Sequence, residues 1–140
     1  MGGTKLKNIF ILDTCAWLWL SIGSGRITAK IEKKLKKGPW LLPTICVWEM
    51  ATLVKKGRIE LDRPLKRWIA ENLSGSSNLR LTPLKPEIAI ISTQLDKCKS
   101  NDPADRIILV TAIEEKGILV TADSHLIKFC KKEGIPILEL

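Results

Sequence analysis

Five of the fifteen acidic residues in this 140-residue chain fall where a carboxylate can do chemistry. Asp13 follows the apolar run 8–12, and Asp123 follows the apolar run 118–122. Asp102 and Asp105 flank Pro103, and an i, i+3 spacing at a helix start points both to one side of its first turn. Glu49 has Ile45, Cys46, Thr52 and Leu53 at i±3 and i±4, so it shares an apolar helical stripe. Each acid alone has an ordinary explanation. Asp is a preferred helix N-cap, and a helical Glu is usually solvated. Together they say more. Clustered carboxylates raise one another's pKa unless a cation offsets them. Two oxygen-bound metals about 4 Å apart can activate water and stabilise the leaving oxygen of a phosphodiester.

The other reactive residues narrow the chemistry. His125 is the sole histidine, and no G-x-S-x-G elbow is present, which counts against a Ser-His-Asp hydrolase. Cys15, Cys46, Cys98 and Cys130 lack any C-x-x-C spacing and are expected to be small buried apolar residues. Any metal should therefore be held by oxygen ligands, which favours Mg²⁺ or Mn²⁺. The net charge of +8, from 23 basic and 15 acidic residues, points to a polyanionic partner. Lysines crowd 30–37, and Lys55, Lys56 and Arg58 follow a second helical stretch. These runs are either solvated helix faces or phosphate-binding surfaces. Most of the five tryptophans are expected in the core, but Trp17 and Trp19 cannot both face it from one short helix.

The elements that would position these residues alternate along the chain. Strands are predicted over 8–12, 40–42, 79–82, 118–122 and 135–138, the last an edge strand because Pro136 cannot donate to a ladder. Helices are predicted over 15–20, 28–37, 44–56, 64–73, 86–97, 103–116 and 124–133, with Gly38 as a C-cap of the second. Strands separated by helices imply a mainly parallel sheet covered on both faces. Ligands of such sheets bind beyond the carboxyl ends of the strands, near the switch in strand order. A single domain over 1–140 is expected, with residues 1–7 a short leading segment and 74–78 the most linker-like stretch. No apolar run is long enough for a membrane span and no signal core begins the chain, so a cytoplasmic location is expected.

Four segments carry a family resemblance: Ile-Leu-Asp13-Thr, Val-Trp-Glu49-Met-Ala with Lys-Gly-Arg58-Ile behind it, Asn-Asp102-Pro-Ala-Asp105-Arg-Ile-Ile, and Leu-Val-Thr121-Ala-Asp123. Their order and spacing over about residues 8–138 resemble the PIN domain family, and within it the VapC-like group of toxins. The resemblance implies a three-layer α/β/α fold with a central, mainly parallel sheet of four to five strands. It implies a metal-dependent endoribonuclease in which Asp13, Glu49, Asp105 and Asp123 bind Mg²⁺ or Mn²⁺ and carry catalysis. Asp105 is preferred to Asp102 because it directly precedes the apolar helix run, and Asp102 is an additional ligand candidate. Thr14 and Thr121 match small hydroxyl positions near the site, and Arg106 is placed beside them. RNA is the implied substrate, with Lys33, Lys37, Lys55, Lys56 and Arg58 as contacts. A cognate antitoxin and a homodimer are the implied partners, with Trp17 or Trp19 available for such a contact. The chain departs from many relatives in carrying Cys15 where they have His two residues after the first Asp. The alternatives are a PIN nuclease of RNA processing without an antitoxin and a non-catalytic RNA-binding module. A receiver domain lacks its acid after the third strand, and a haloacid-dehalogenase-like phosphatase lacks its second Asp.

Overall fold

The structure, a computed structural model, describes residues 8–74 and 78–140. The leading segment 1–7 and residues 75–77 of the linker-like stretch lie outside the described residues. Twelve elements follow in order: β1 (Phe10–Leu12), α1 (Thr14–Ile22), α2 (Ala29–Leu35), β2 (Trp40–Pro43), α3 (Ile45–Lys55), α4 (Leu65–Ser74), β3 (Leu79–Thr82), α5 (Pro86–Ser92), α6 (Pro103–Glu114), β4 (Ile118–Thr121), α7 (Ser124–Glu133) and β5 (Ile137–Glu139). The five strands form one parallel sheet in the order β3-β2-β1-β4-β5, with helices layered on both sides. Chain progress runs outward from β1 to β3 on one side, then returns to β4 and runs outward to β5. The switch point is therefore between β1 and β4, and residues following those strands emerge there.

Central strands of a covered parallel sheet read as continuous apolar runs because both faces are buried. Phe10, Ile11 and Leu12 of β1 are all buried, as are Leu119 and Val120 of β4. Trp17 on α1 is fully buried, meets the Trp68 ring of α4 at 5.3 Å between centroids, and donates its indole N–H to Asn72 at 2.7 Å. Trp19 is only half-buried, with the Arg26 guanidinium 5.0 Å above its ring. Trp48, at 61% exposure, is the solvent-facing tryptophan. Among the described residues no helix is long and apolar enough to cross a membrane.

The structure corrects several local expectations. The predicted helix 86–97 ends at Ser92. There the Ser92 and Thr93 hydroxyls turn back on the carbonyls of Ala89 and Ile90. Beyond that turn the carbonyls of Leu95, Cys98 and Ser100 accept from Arg106 rather than from a continuing helix. Gly38 is not a left-handed cap, because α2 already ends at Leu35. It is glycine because a Cβ there would lie 1.7 Å from the Asn8 carbonyl oxygen. At the end of α6 the left-handed residue is Lys116, with φ 53°. The adjacent Gly117 instead makes room for Ile11, whose side chain a Cβ would meet at 2.8 Å. Cys46, Cys98 and Cys130 are buried as expected, whereas Cys15 is exposed, and all four thiols are free.

Candidate active site

Three helix N-caps bring carboxylates to the carboxyl edge of the sheet. Asp13 caps α1, accepting from the Ala16 amide at 2.8 Å. Asp102 caps α6, accepting from Ala104 at 3.0 Å, and Asp123 caps α7, accepting from Leu126 at 2.9 Å. The capping explanation and the site explanation are thus both correct. A cap uses one carboxylate oxygen and leaves lone pairs on the other. The Asp13 amide also donates to the Val120 carbonyl, which ties together the ends of β1 and β4 where Asp13 and Asp123 emerge.

Two more acids come from positions within helices. Asp105 lies in the first turn of α6 and accepts from the Ser100 hydroxyl at 3.1 Å. Glu49 lies on α3 and accepts from the Thr14 hydroxyl at 2.5 Å, across 35 residues of sequence. Glu49, Asp102 and Asp105 each place a carboxylate oxygen within 4.8 Å of the others'. Asp102, an additional candidate in the sequence, is therefore a full member of the tight group. Asp13 and Asp123 stand outside that triplet but are close enough to couple with it and with each other. Thr121, fully buried, links these two: its hydroxyl accepts from the Asp123 amide at 3.0 Å and bonds the Asp13 carboxylate.

Among the described residues no ion pair compensates this crowding. Burial raises the pKa of Asp13, and the Asp123 charge adds to it, against the Thr121 and Ala16 hydrogen bonds. Burial likewise raises Glu49, with Asp102 and Asp13 adding and the Thr14 bond opposing. Asp105 is pushed up to about 7, by burial first, then by the charges of Asp102, Asp123 and Glu49. Among the described residues the ion pairs involve Asp62, Glu71, Glu115 and Glu139, and none involves these five acids. Carboxylates without cations, in a chain of net charge +8, form a donor set suited to a hard divalent ion. Cys15 sits on the rim, where burial and four of the acids hold its thiol protonated, up at about 11. It is no nucleophile at neutral pH.

Arg106 has a supporting place that its type did not announce. Its guanidinium donates to the carbonyls of Ser100, Leu95 and Cys98 at 2.8, 3.1 and 2.9 Å. It pins the loop that carries Ser100 and Asp102. Arg106→Gln should therefore lower stability by about 2–3 kcal/mol, since hydrogen bonds to a charged group contribute about 1.5–3 kcal/mol each and do not sum. Urea unfolding checks this, and a midpoint equal to wild type would sink the pinning role. Ser100 itself was missed in the sequence. It is buried, donates to Asp105 and accepts from the Asp102 amide at 3.4 Å. The available signal was a serine two residues before a capping Asp.

Of the basic residues singled out in the sequence, Lys37 stands at the edge away from the acids. Lys37 lines a cavity with Asn8, Phe10, Ile118 and Ile137, at the amino ends of the strands and so at the opposite edge. Lys33 lies on the exposed side of α2. Lys55 is six residues beyond Glu49, about 9 Å further along α3, and Lys56 and Arg58 continue beyond it.

Fold and site together define an α/β/α protein with a carboxylate cluster at the topological switch point of a parallel sheet. The chain belongs to the PIN domain family, whose sequence profile matches residues 10–132. It is 29% identical over 117 residues to ribonuclease VapC22 of Mycobacterium tuberculosis, covering 83% of this chain and 88% of that relative. Similar solved folds include FitAcB from Neisseria gonorrhoeae, with a TM-score of 0.64 at 19% identity over 93% of this chain and 96% of that one. VapBC2 from Rickettsia felis, bound to a DNA fragment from its promoter, gives a TM-score of 0.65 at 18% identity over 94% and 98%.

Proposed function

We propose that this chain is a divalent-metal-dependent endoribonuclease, and the toxin member of a toxin–antitoxin pair. The observation that carries the reading is the cluster of Glu49, Asp102 and Asp105, flanked by Asp13 and Asp123, with the pKa values of Asp13, Glu49 and Asp105 raised and no ion pair to these acids among the described residues. Glu49, Asp102 and Asp105 would hold Mg²⁺ or Mn²⁺, with the oxygens of Asp13 and Asp123 not engaged in capping turned to the same edge. When bound, the ion supplies positive charge to the scissile phosphoryl group and lowers the pKa of water there. The protein's part is to fix the donors. Thr14 orients Glu49, Ser100 orients Asp105, Thr121 joins Asp13 to the Asp123 turn, and Arg106 holds the loop beneath.

The ribonuclease relative supports the reaction class, and the FitAcB and VapBC neighbours support an antitoxin partner. Exposed apolar residues such as Trp48, Ile90 and Ile22 leave surface for that partner and for a second copy of the chain. A cytoplasmic location accompanies this reading. The test is cleavage of single-stranded RNA by purified protein with Mg²⁺ or Mn²⁺, with product ends mapped. Products carrying 5′-phosphate and 3′-hydroxyl ends are expected. Intact RNA under both metals, or 2′,3′-cyclic phosphate ends, would overturn it.

A further inference from the structure

The loop 93–102 and α7 enclose a cavity of about 290 Å³ lined by Lys97, Lys99, His125, Lys128, Phe129 and Lys132. No acid lines it, and among the described residues none of the four lysines has an ion-pair partner within 4.0 Å. His125, Lys128, Phe129 and Lys132 fall at i, i+3, i+4 and i+7, which is one face of α7. Lys97 and Lys99 flank Cys98, whose side chain is buried, and both are exposed. Arg106 holds the backbone beneath them through the Leu95, Cys98 and Ser100 carbonyls, so this wall is anchored. Asp96 and Glu133 line an adjoining cavity that shares Lys97 and Phe129, which bounds the cationic surface on that side.

Both walls are continuous along the chain with segments that carry the carboxylates. α7 begins at its cap Asp123, two residues before His125, and the loop runs through Ser100 into Asp102. An acidic centre repels a polyanion, so a substrate strand must be held by positive charge close beside it. An aromatic ring among lysines gives a base a stacking surface and its neighbouring phosphates their counter-charges, which suits a single strand.

Building on the ribonuclease reading, we propose that this cavity is the substrate-strand subsite, holding the phosphates of single-stranded RNA on Lys97, Lys99, Lys128 and Lys132 with a base against Phe129. The site belongs to two segments far apart in sequence, and it differs from the lysine runs of α2 and α3.

The experiment compares Lys128→Gln/Lys132→Gln with Lys131→Gln. Lys131 lies on the same helix but bonds Glu139 on the side facing β5, so it controls for charge. Binding of a fluorescein-labelled single-stranded RNA is followed by anisotropy in EDTA against salt concentration, and cleavage is followed separately with Mn²⁺. The double variant should bind more weakly and lose about 1.4 from the slope of log K against log salt, about 0.7 per lysine. Its KM should rise while kcat stays within about twofold of wild type, a split expected when uniform binding is lost. Lys131→Gln should match wild type in both assays. A double variant with wild-type slope and KM overturns the subsite while leaving the ribonuclease reading standing. Equal losses in Lys131→Gln also overturn it, since the effect would then be diffuse charge. Wild-type protein that neither binds nor cleaves RNA ends both readings.

Discussion

Asp105→Asn should abolish RNA cleavage and at the same time raise the melting temperature of the metal-free protein. The two effects share one cause. Asp105 is half-buried beside Asp102, Asp123 and Glu49, and its pKa stands at about 7 instead of the usual carboxylate range. Folding therefore disfavours its charged form, and a neutral isostere removes that penalty while still accepting the Ser100 hydroxyl. A shift of three units corresponds to about 4 kcal/mol nominally, but half-exposure screens it, leaving about 1–2 kcal/mol. In a domain of this size that is a rise of roughly 3–8 °C in Tm. The loss of cleavage should be at least about 10²–10³-fold, the range found when one group stabilising transition-state charge is removed. Single-turnover cleavage and a thermal melt in EDTA at pH 8 read the two arms. Retained cleavage would remove Asp105 from the machinery. A lowered Tm would mean that the carboxylate helps hold the metal-free fold, contrary to the electrostatic account.

Some of this site was readable from sequence because its signals are local. A strand followed by a capping Asp is a short-range pattern that Asp13 and Asp123 satisfy, and the Asp-Pro helix start at Asp102 is another, each cap closing within three residues. Placing them on one edge needed only the rule for parallel sheets and the alternation of elements. What remained hidden depends on distant partners. Thr14 reaches Glu49 across 35 residues. Arg106 holds the loop after α5 by taking a carbonyl 11 residues back. Gly38 is glycine for the sake of Asn8, not for any feature of its own helix. The basic surface shows the difference most clearly. Lysine density along the chain drew attention to 30–37, yet Lys37 lies at the opposite edge from the acids. The lysines of the α7 cavity are sparse in sequence and meet only because the 97–99 loop packs against α7.

Divalent metal should stabilise the protein, and by much more at pH 8 than at pH 5. Asp105 takes up its proton at about 7 when folded and at about 3.8 when unfolded. Between those values the folded chain binds more protons than the unfolded one, so this group's contribution to stability falls as pH rises from about 4 to about 7. Asp13 and Glu49 are raised in the same direction and add to that trend. A bound cation reverses the situation, because it needs the carboxylates deprotonated and competes with the protons. At a concentration 100 times its dissociation constant, an ion contributes about 2.7 kcal/mol to folding stability. From pH 7 to pH 5 proton competition at one such carboxylate weakens binding by up to about 100-fold, which erases most of that gain. Thermal melts with and without Mn²⁺ from pH 5 to pH 8 should therefore diverge steadily. Calorimetric titrations in buffers of different ionisation heat should show protons released on binding near pH 6.5. EDTA should stop cleavage at every pH, and added Mn²⁺ or Mg²⁺ should restore it. In Asp105→Asn the pH dependence of any residual binding should be flatter, since one raised carboxyl is gone. A metal-induced shift of equal size at pH 5 and pH 8 would show that these carboxylates are not the ligands.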